Sequence, residues 1–190
     1  MLCRHRACTL GDSSLVPAGV MLLLFHKDGE YHVLLNKRTN SVAHHKGEIS
    51  FPGGAKEIED GNLLETALRE THEEMGILPK DVEVLGQLDD VATRSGFTIS
   101  TFVGTIPYPY DYTVSNSEVA EVLEVPLFAF MKQEAIREEV RVVDGQLEKT
   151  LAFAYQLHLI YGATARILKQ FMDLLENDPE KRRCCGKASR

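Results

Sequence analysis

The sequence predicts one α/β domain built around a mixed β-sheet. Apolar or alternating runs of strand length recur between Ala18 and Leu157, and two hairpin signals, Lys27-Asp28-Gly29-Glu30 and Asp144-Gly145, join neighbouring runs. Two longer segments, 62–75 and 162–176, carry apolar residues at helical spacing instead. Strands interspersed with a few helices bury their apolar faces as a sheet covered by helices. At 190 residues, 44% hydrophobic and 26% charged, the chain has the composition of a single globular domain with a sizeable core.

Taken in order, residues 1–16 are expected to form a mobile arm, 17–177 the domain and 178–190 a disordered tail with nothing to bury. Ala18–Lys27 and Tyr31–Lys37 read as two strands of one hairpin. Arg38–Gly47 is polar and basic, hence a loop, and GEISFPGG is a short strand ending in two glycines. A helix fits 62–75, begun by Asn62 with Glu65 at capping-box spacing and ended by Gly76. Val82–Leu88 and Thr98–Ile106 are strands, and PYPYDYTVSNS is a surface loop whose Tyr108, Tyr110 and Tyr112 have two readings, packing on the domain, which is favoured, or stacking on an aromatic base. VAEVLEVPLFAFM combines a strand with a short helical start, Val140–Val143 and Thr150–Leu157 form a second hairpin, and a final helix covers 162–176.

The formal net charge of -7 argues against non-specific binding to nucleic acid or a membrane surface, which needs a basic patch. The basic start before VMLLLF resembles a signal peptide only superficially. Polar GDSS interrupts it and no small-x-small site follows, so the apolar run is a core strand. No stretch reaches the ~20 apolar residues of a membrane helix. Cys3, Cys8, Cys184 and Cys185 all lie near the termini, where they staple nothing, and this points to a reducing, cytoplasmic setting.

The stretch RETHEEMG is unusual. Glu70, Glu73 and Glu74 share one arc of the helix, beside an apolar arc of Leu64, Ala67, Leu68, Thr71 and Met75. Arg69 and Glu73 form an i,i+4 pair, but Glu70 and Glu74 repel at the same spacing. All three acids lie toward the C-terminal end, where the helix dipole disfavours negative charge. Two readings are open from the residues alone: a solvated face, or a site for divalent cations that prefer hard oxygen ligands.

From Gly54 the chain runs GAKEIEDGNLLETALRETHEEMGI, which resembles the Nudix box G-x5-E-x7-R-E-U-x-E-E-x-G-U, with U aliphatic. Gly54, Arg69, Glu70, Glu73, Glu74, Gly76 and Ile77 match; Asp60 stands for the first Glu, Arg69 comes one residue late, and Thr71 fills the aliphatic slot. Upstream, LLNKRTNSVAHHKGEISFPGG resembles the LLTxRS and FPGG motif of the coenzyme A pyrophosphatase branch. Asn36 and Thr39 depart from it, and His44, His45 and Lys46 stand where an Arg is expected. IYGATARIL resembles that branch's IWGxTA helix start, with Tyr161 for Trp.

The resemblance implies the Nudix fold, an α/β/α sandwich with a mixed central β-sheet, and hydrolysis of a nucleoside diphosphate linked to another moiety. For coenzyme A the products would be 3',5'-ADP and 4'-phosphopantetheine. It implies Mg²⁺ or Mn²⁺ on Glu70, Glu73, Glu74 and the Gly54 carbonyl, with catalytic roles for Glu73 and Glu74. Glu118, ahead of Glu121, is the acid outside the box best placed to act as base. Arg38, His44, Lys46 and Gly53 are expected to bind substrate, and Arg69 to tie the helix to Glu57 or Asp60 through a surface pair. The expected partner is a small-molecule nucleoside diphosphate derivative, with no nucleic acid and no membrane; homodimers are frequent in the superfamily. ADP-ribose or NADH is the alternative substrate, and a nucleotide-sensing module without turnover is a third reading.

Overall fold

The computed structural model describes residues 5–39, 47–143 and 145–176. Strands β1 (Val16–Lys27) and β2 (Glu30–Arg38) form the first hairpin, turned by Asp28 and Gly29 at φ 51° and 88°. β3 (Ile49–Ser50) and β4 (Gly53–Ala55) follow, then α1 (Leu63–Met75) and a 3-10 turn at Pro79–Asp81. β5 (Glu83–Gln87), β6 (Val91–Ala92), β7 (Phe97–Thr105) and β8 (Val119–Pro126) come next. Two further 3-10 segments lead to β9 (Ile136–Val143), β10 (Gln146–Tyr155), β11 (His158–Ile160) and α2 (Gly162–Glu176).

The main sheet runs β3-β2-β1-β7-β5, with β4 on β1, β6 on β7 and β8 on β2. It is mixed because β1 and β7 pair in parallel over Val16↔Phe97 to Leu24↔Thr105, whereas the other pairs are antiparallel. Alternation along β1 explains why both faces are covered. Met21, Leu23 and Phe25 join Ala67, Met75 and Ile77 in one apolar cluster, on the α1 side. Val20, Leu22 and Leu24 join Ile167, Leu168, Phe171 and Met172 of α2 in the other. The fold is therefore the expected α/β/α sandwich.

The structure adds what short or weakly patterned segments concealed. β9, β10 and β11 form a separate antiparallel sheet, with β9 starting four residues before the expected Val140. β6 and β11 have two and three residues, too few to show a period. Part of the expected N-terminal arm lies along the domain. His5 is 3.0 Å from Asp89, the Cys8 and Leu10 N–H groups donate to Asp89 and Asp90, and Asp90 N–H donates to the Cys8 carbonyl. The tail 178–190, with Cys184 and Cys185, lies outside the described residues, as does Cys3. No helix among the described residues is long and apolar enough to cross a membrane.

Candidate active site

The site grows from the start and phase of α1. The Asn62 side chain accepts from the Leu64 and Glu65 N–H groups at 3.0 Å each, and Glu65 accepts from Gly61 N–H at 2.9 Å. Gly76, in the left-handed region, closes the helix with its N–H on the His72 carbonyl. With both ends fixed, the four box side chains Arg69, Glu70, Glu73 and Glu74 have set directions.

Arg69 clamps the preceding loop. Its Nε and Nη2 donate to the two Asp60 oxygens at 3.0 Å each, a bidentate pair. Nη1 reaches Glu70 at 2.9 Å and Glu73 at 3.1 Å. Asp60 is the loop partner; Glu57 stands farther off, at 3.9 Å. The pair is not the surface pair expected from sequence. Asp60 is buried, and it also accepts from the Glu57 N–H and the Thr66 hydroxyl at 2.9 Å. The hydrogen bond from Arg69, followed by that from the Glu57 N–H, holds the Asp60 carboxyl well below the ordinary carboxylate range.

Glu74 requires a larger correction. It was expected on the acidic face, yet it is 1% exposed. The reason is geometric: seven residues nearly complete two helical turns, so Glu74 projects within about 20° of Ala67, a core residue. Its carboxylate accepts from Asn36 Nδ2 at 2.8 Å, Gly53 N–H at 3.2 Å and Arg38 Nη1 at 3.3 Å. Burial pushes its carboxyl up to about 7, against the opposing influence of Arg38. Leu68, expected at the centre of the apolar stripe, is only half-buried, while Thr66, Ala67, Thr71 and Met75 are buried.

Glu70 is partly buried, and burial raises its carboxyl; Arg69 opposes this, while the charges of Glu73 and Glu118 add to it. Glu73 is exposed. Glu118 comes into range because the loop before β8 is pinned along α1: Thr113 N–H donates to the Met75 carbonyl and Ser115 N–H to that of Glu74. Its carbonyl accepts from Thr39 N–H at 2.8 Å. Glu121, the second choice of base, is engaged elsewhere, 3.5 Å from His158 and 3.8 Å from Lys37.

The two glycines bring backbone against this cluster. A Cβ on Gly54 would sit 2.5 Å from the Glu70 carboxyl carbon, and one on Gly53, where φ is 150°, would sit 2.4 Å from the Gly19 carbonyl oxygen. His44 and Lys46 lie outside the described residues. Sequence reading assigned no role to Asn36 and Ser50. Asn36 is fully buried, and its Oδ1 accepts from Ser50 Oγ at 2.7 Å, which orients its amide toward Glu74.

Glu70, Glu73, Glu74 and Glu118 are hard oxygen donors, and Glu70 is destabilised by the charges of Glu73 and Glu118, so the donor chemistry suits a divalent cation. Among the described residues no three His, Cys, Asp or Glu side chains already converge as a ligand group; Glu73 is turned to Arg69 and Glu74 to Arg38. Fold and site define a class: an α/β/α-sandwich domain whose acidic helix backs a glycine-rich strand end.

The NUDIX domain family matches residues 15–146, and the chain belongs to the Nudix hydrolases, enzymes that hydrolyse phosphoanhydride bonds of nucleoside diphosphate derivatives. It is 34% identical over 153 residues to a Nudix hydrolase NudL of Enterobacter sp., covering 80% of this chain and 79% of that one. It is likewise 34% identical over 138 residues to NudL of Photorhabdus laumondii, covering 73% and 74%. Two solved structures share the fold. RenU, a Nudix hydrolase from M. smegmatis, has a TM-score of 0.59 at 19% identity over 86% of this chain and 88% of that one. The Nudix domain of Shewanella oneidensis NrtR, complexed with ADP ribose, has a TM-score of 0.54 at 18% identity over 86% and 90%.

Proposed function

We propose that this Nudix hydrolase cleaves the diphosphate of coenzyme A or its derivatives, giving 3',5'-ADP and 4'-phosphopantetheine. The observation that carries the reading is the position of Arg38. It belongs to the upstream motif that resembles the coenzyme A branch, and it reaches Glu74 of the box at 3.3 Å. Arg38 Nε is buried and has no hydrogen-bond partner among the described residues, so one donor is left for an anionic oxygen of the substrate.

In this reading Glu70, Glu73, Glu74 and the Gly54 carbonyl hold Mg²⁺ or Mn²⁺. A bound cation of that kind offsets the diphosphate charge and lowers the pKa of the attacking water. The protein's own groups do the rest. Arg69, fixed on Asp60, keeps α1 and the loop after Gly54 in one register. Asn36 and the Gly53 N–H orient Glu74. Glu118 is the proposed base, accepting the proton of the water as its oxygen bonds to phosphorus and the bridging P–O bond breaks. The Gly53 and Gly54 backbone leaves room for the diphosphate, and Arg38 takes a phosphate oxygen.

Asn36 favours a second reading, ADP-ribose or NADH, because it departs from the upstream motif at a buried position against Glu74. Product chromatography with coenzyme A, dephospho-coenzyme A, ADP-ribose and NADH, in Mg²⁺ or Mn²⁺, decides between them. Metal-dependent 3',5'-ADP as the fastest product supports the proposal; faster cleavage of ADP-ribose or NADH overturns it.

A further inference from the structure

Resting on the hydrolase reading above, we propose that the open cleft beside Glu73 is a subsite for an uncharged planar ring of the substrate, a nucleobase, held against Tyr110. The cleft, about 780 Å³, lies between the C-terminal end of α1 and the loop before Thr113. That volume is within the range of small-molecule sites, roughly 300 to 1,000 Å³. Its mouth includes Glu73, so it opens directly from the acidic face of α1.

Tyr110 is the fixed element of its wall. The hydroxyl donates to Asp81 at 2.8 Å and accepts from the Leu78 N–H at 3.0 Å. The ring stacks on Tyr112 at 5.8 Å between centroids, 30° from parallel. An aromatic ring held at its tip and along one face has little rotamer freedom left to lose when a ligand stacks on it. Pro107 and Pro109 line the same wall and stiffen the chain that leads into Tyr110.

Charge selects what can enter. Among the described residues, Glu73, Asp81 and Asp111 line the cleft and no lysine or arginine does, leaving His72 as the one basic residue there. A phosphate there would meet the like charges of Asp81 and Asp111, and of Glu73, which alone of the three has Arg69 beside it at 3.1 Å, and the repulsion grows as the distance shrinks. The diphosphate therefore belongs on the side of Gly53, Gly54 and Arg38. An uncharged ring reaches past Glu73, and the acids around Tyr110 turn away substrates whose ring end carries a phosphate into the cleft.

The test is an amide-shift titration of the full chain with adenosine and with inorganic phosphate, without divalent metal. It is run on wild type, Tyr110→Leu and Asp111→Lys, each checked by thermal melting. Adenosine is expected to shift amides around Gly76, Tyr110 and Asp111, and inorganic phosphate at the same concentration to shift none of them. Tyr110→Leu should weaken adenosine by about tenfold or more, the scale of one lost base stack. Asp111→Lys, at an exposed position, should let inorganic phosphate shift these amides, and it decides the matter alone if Tyr110→Leu fails to fold. Shifts of those amides by inorganic phosphate in wild type, or wild-type adenosine affinity in folded Tyr110→Leu, overturn the subsite. The hydrolase reading fails separately: adenosine bound through Tyr110 by a protein that cleaves none of the four diphosphates keeps the cleft and removes the activity, whereas turnover without adenosine binding removes the cleft alone.

Discussion

Adjacent glycines offer a sharp separation of activity from stability. In Gly54→Ala the new methyl would lie 2.5 Å from the Glu70 carboxyl carbon and 2.6 and 2.8 Å from its oxygens. Carbon atoms rest at about 3.5 Å or more, so the carboxylate must retreat by about 1 Å. The group that moves is the end of a flexible side chain, and the cost in folding stability should stay below about 1 kcal/mol. A displacement of that size at a reacting centre lowers turnover on the order of 100-fold. Gly53→Ala should do the reverse. Its methyl would meet the Gly19 carbonyl oxygen at 2.4 Å and the Val20 Cα at 2.6 Å, both backbone, at a φ of 150° that L residues avoid. Separating β4 from β1 and holding that φ should cost more than about 2 kcal/mol. Chemical denaturation and steady-state hydrolysis of the best substrate, measured on both variants, check the pair. Full turnover in Gly54→Ala would refute the role given to Glu70, and a wild-type denaturation midpoint in Gly53→Ala would refute the strand contact.

The remaining expectations concern helix packing and the charges behind it. Met75, fully buried, should lose about 2 to 5 kcal/mol on truncation to Ala, and half-buried Leu68 about half as much; denaturation midpoints in the opposite order would show that the phase of α1 is wrong. Because the folded-state carboxyl of Asp60 is depressed, its contribution is present above the unfolded value near about 4 and is lost as pH falls through the folded value. The melting gap between wild type and Asp60→Asn should accordingly be wide at neutral pH and close in acid, and a gap independent of pH would sink the ion-pair account. Asn36→Leu removes one donor from buried Glu74 and one acceptor from Ser50, so it should cost about 1 to 3 kcal/mol and lower kcat more than KM; unchanged kcat would show that Asn36 does not position Glu74.

What the sequence disclosed divides by range. The ends of α1 were readable because Asn62, Glu65 and Gly76 act on backbone groups within four residues of themselves. The first hairpin was readable because Asp28 and Gly29 set the turn, and β1 was readable as a core strand because its apolar run is local. β11, three residues long, and the boundary of β9 had no such local signal. At the site, the like-signed face of α1 and the Arg69 clamp were legible, but the burial of Asp60 was not. It depends on Thr66, the Glu57 N–H and the packing of a loop, none of which has a pattern of its own. Glu74 is intermediate: its sevenfold spacing from Ala67 was present in the sequence, and the charge on the residue masked it.

The burial of Glu74 also gives the upstream segment a physical purpose. A carboxylate enclosed by a core is costly unless donors surround it. The donors here come from Asn36 and Arg38 on β2 and from the Gly53 N–H at β4, with Ser50 of β3 holding Asn36 in place. All four lie between positions 36 and 53, ahead of the box, and none is contributed by α1 itself. The box helix supplies the acid, while the preceding strands supply the hydrogen bonds that let it remain in the interior. A substitution in the upstream motif thus acts on the box carboxylate directly, so a change of substrate preference and a change of turnover at Asn36 or Arg38 have one physical origin.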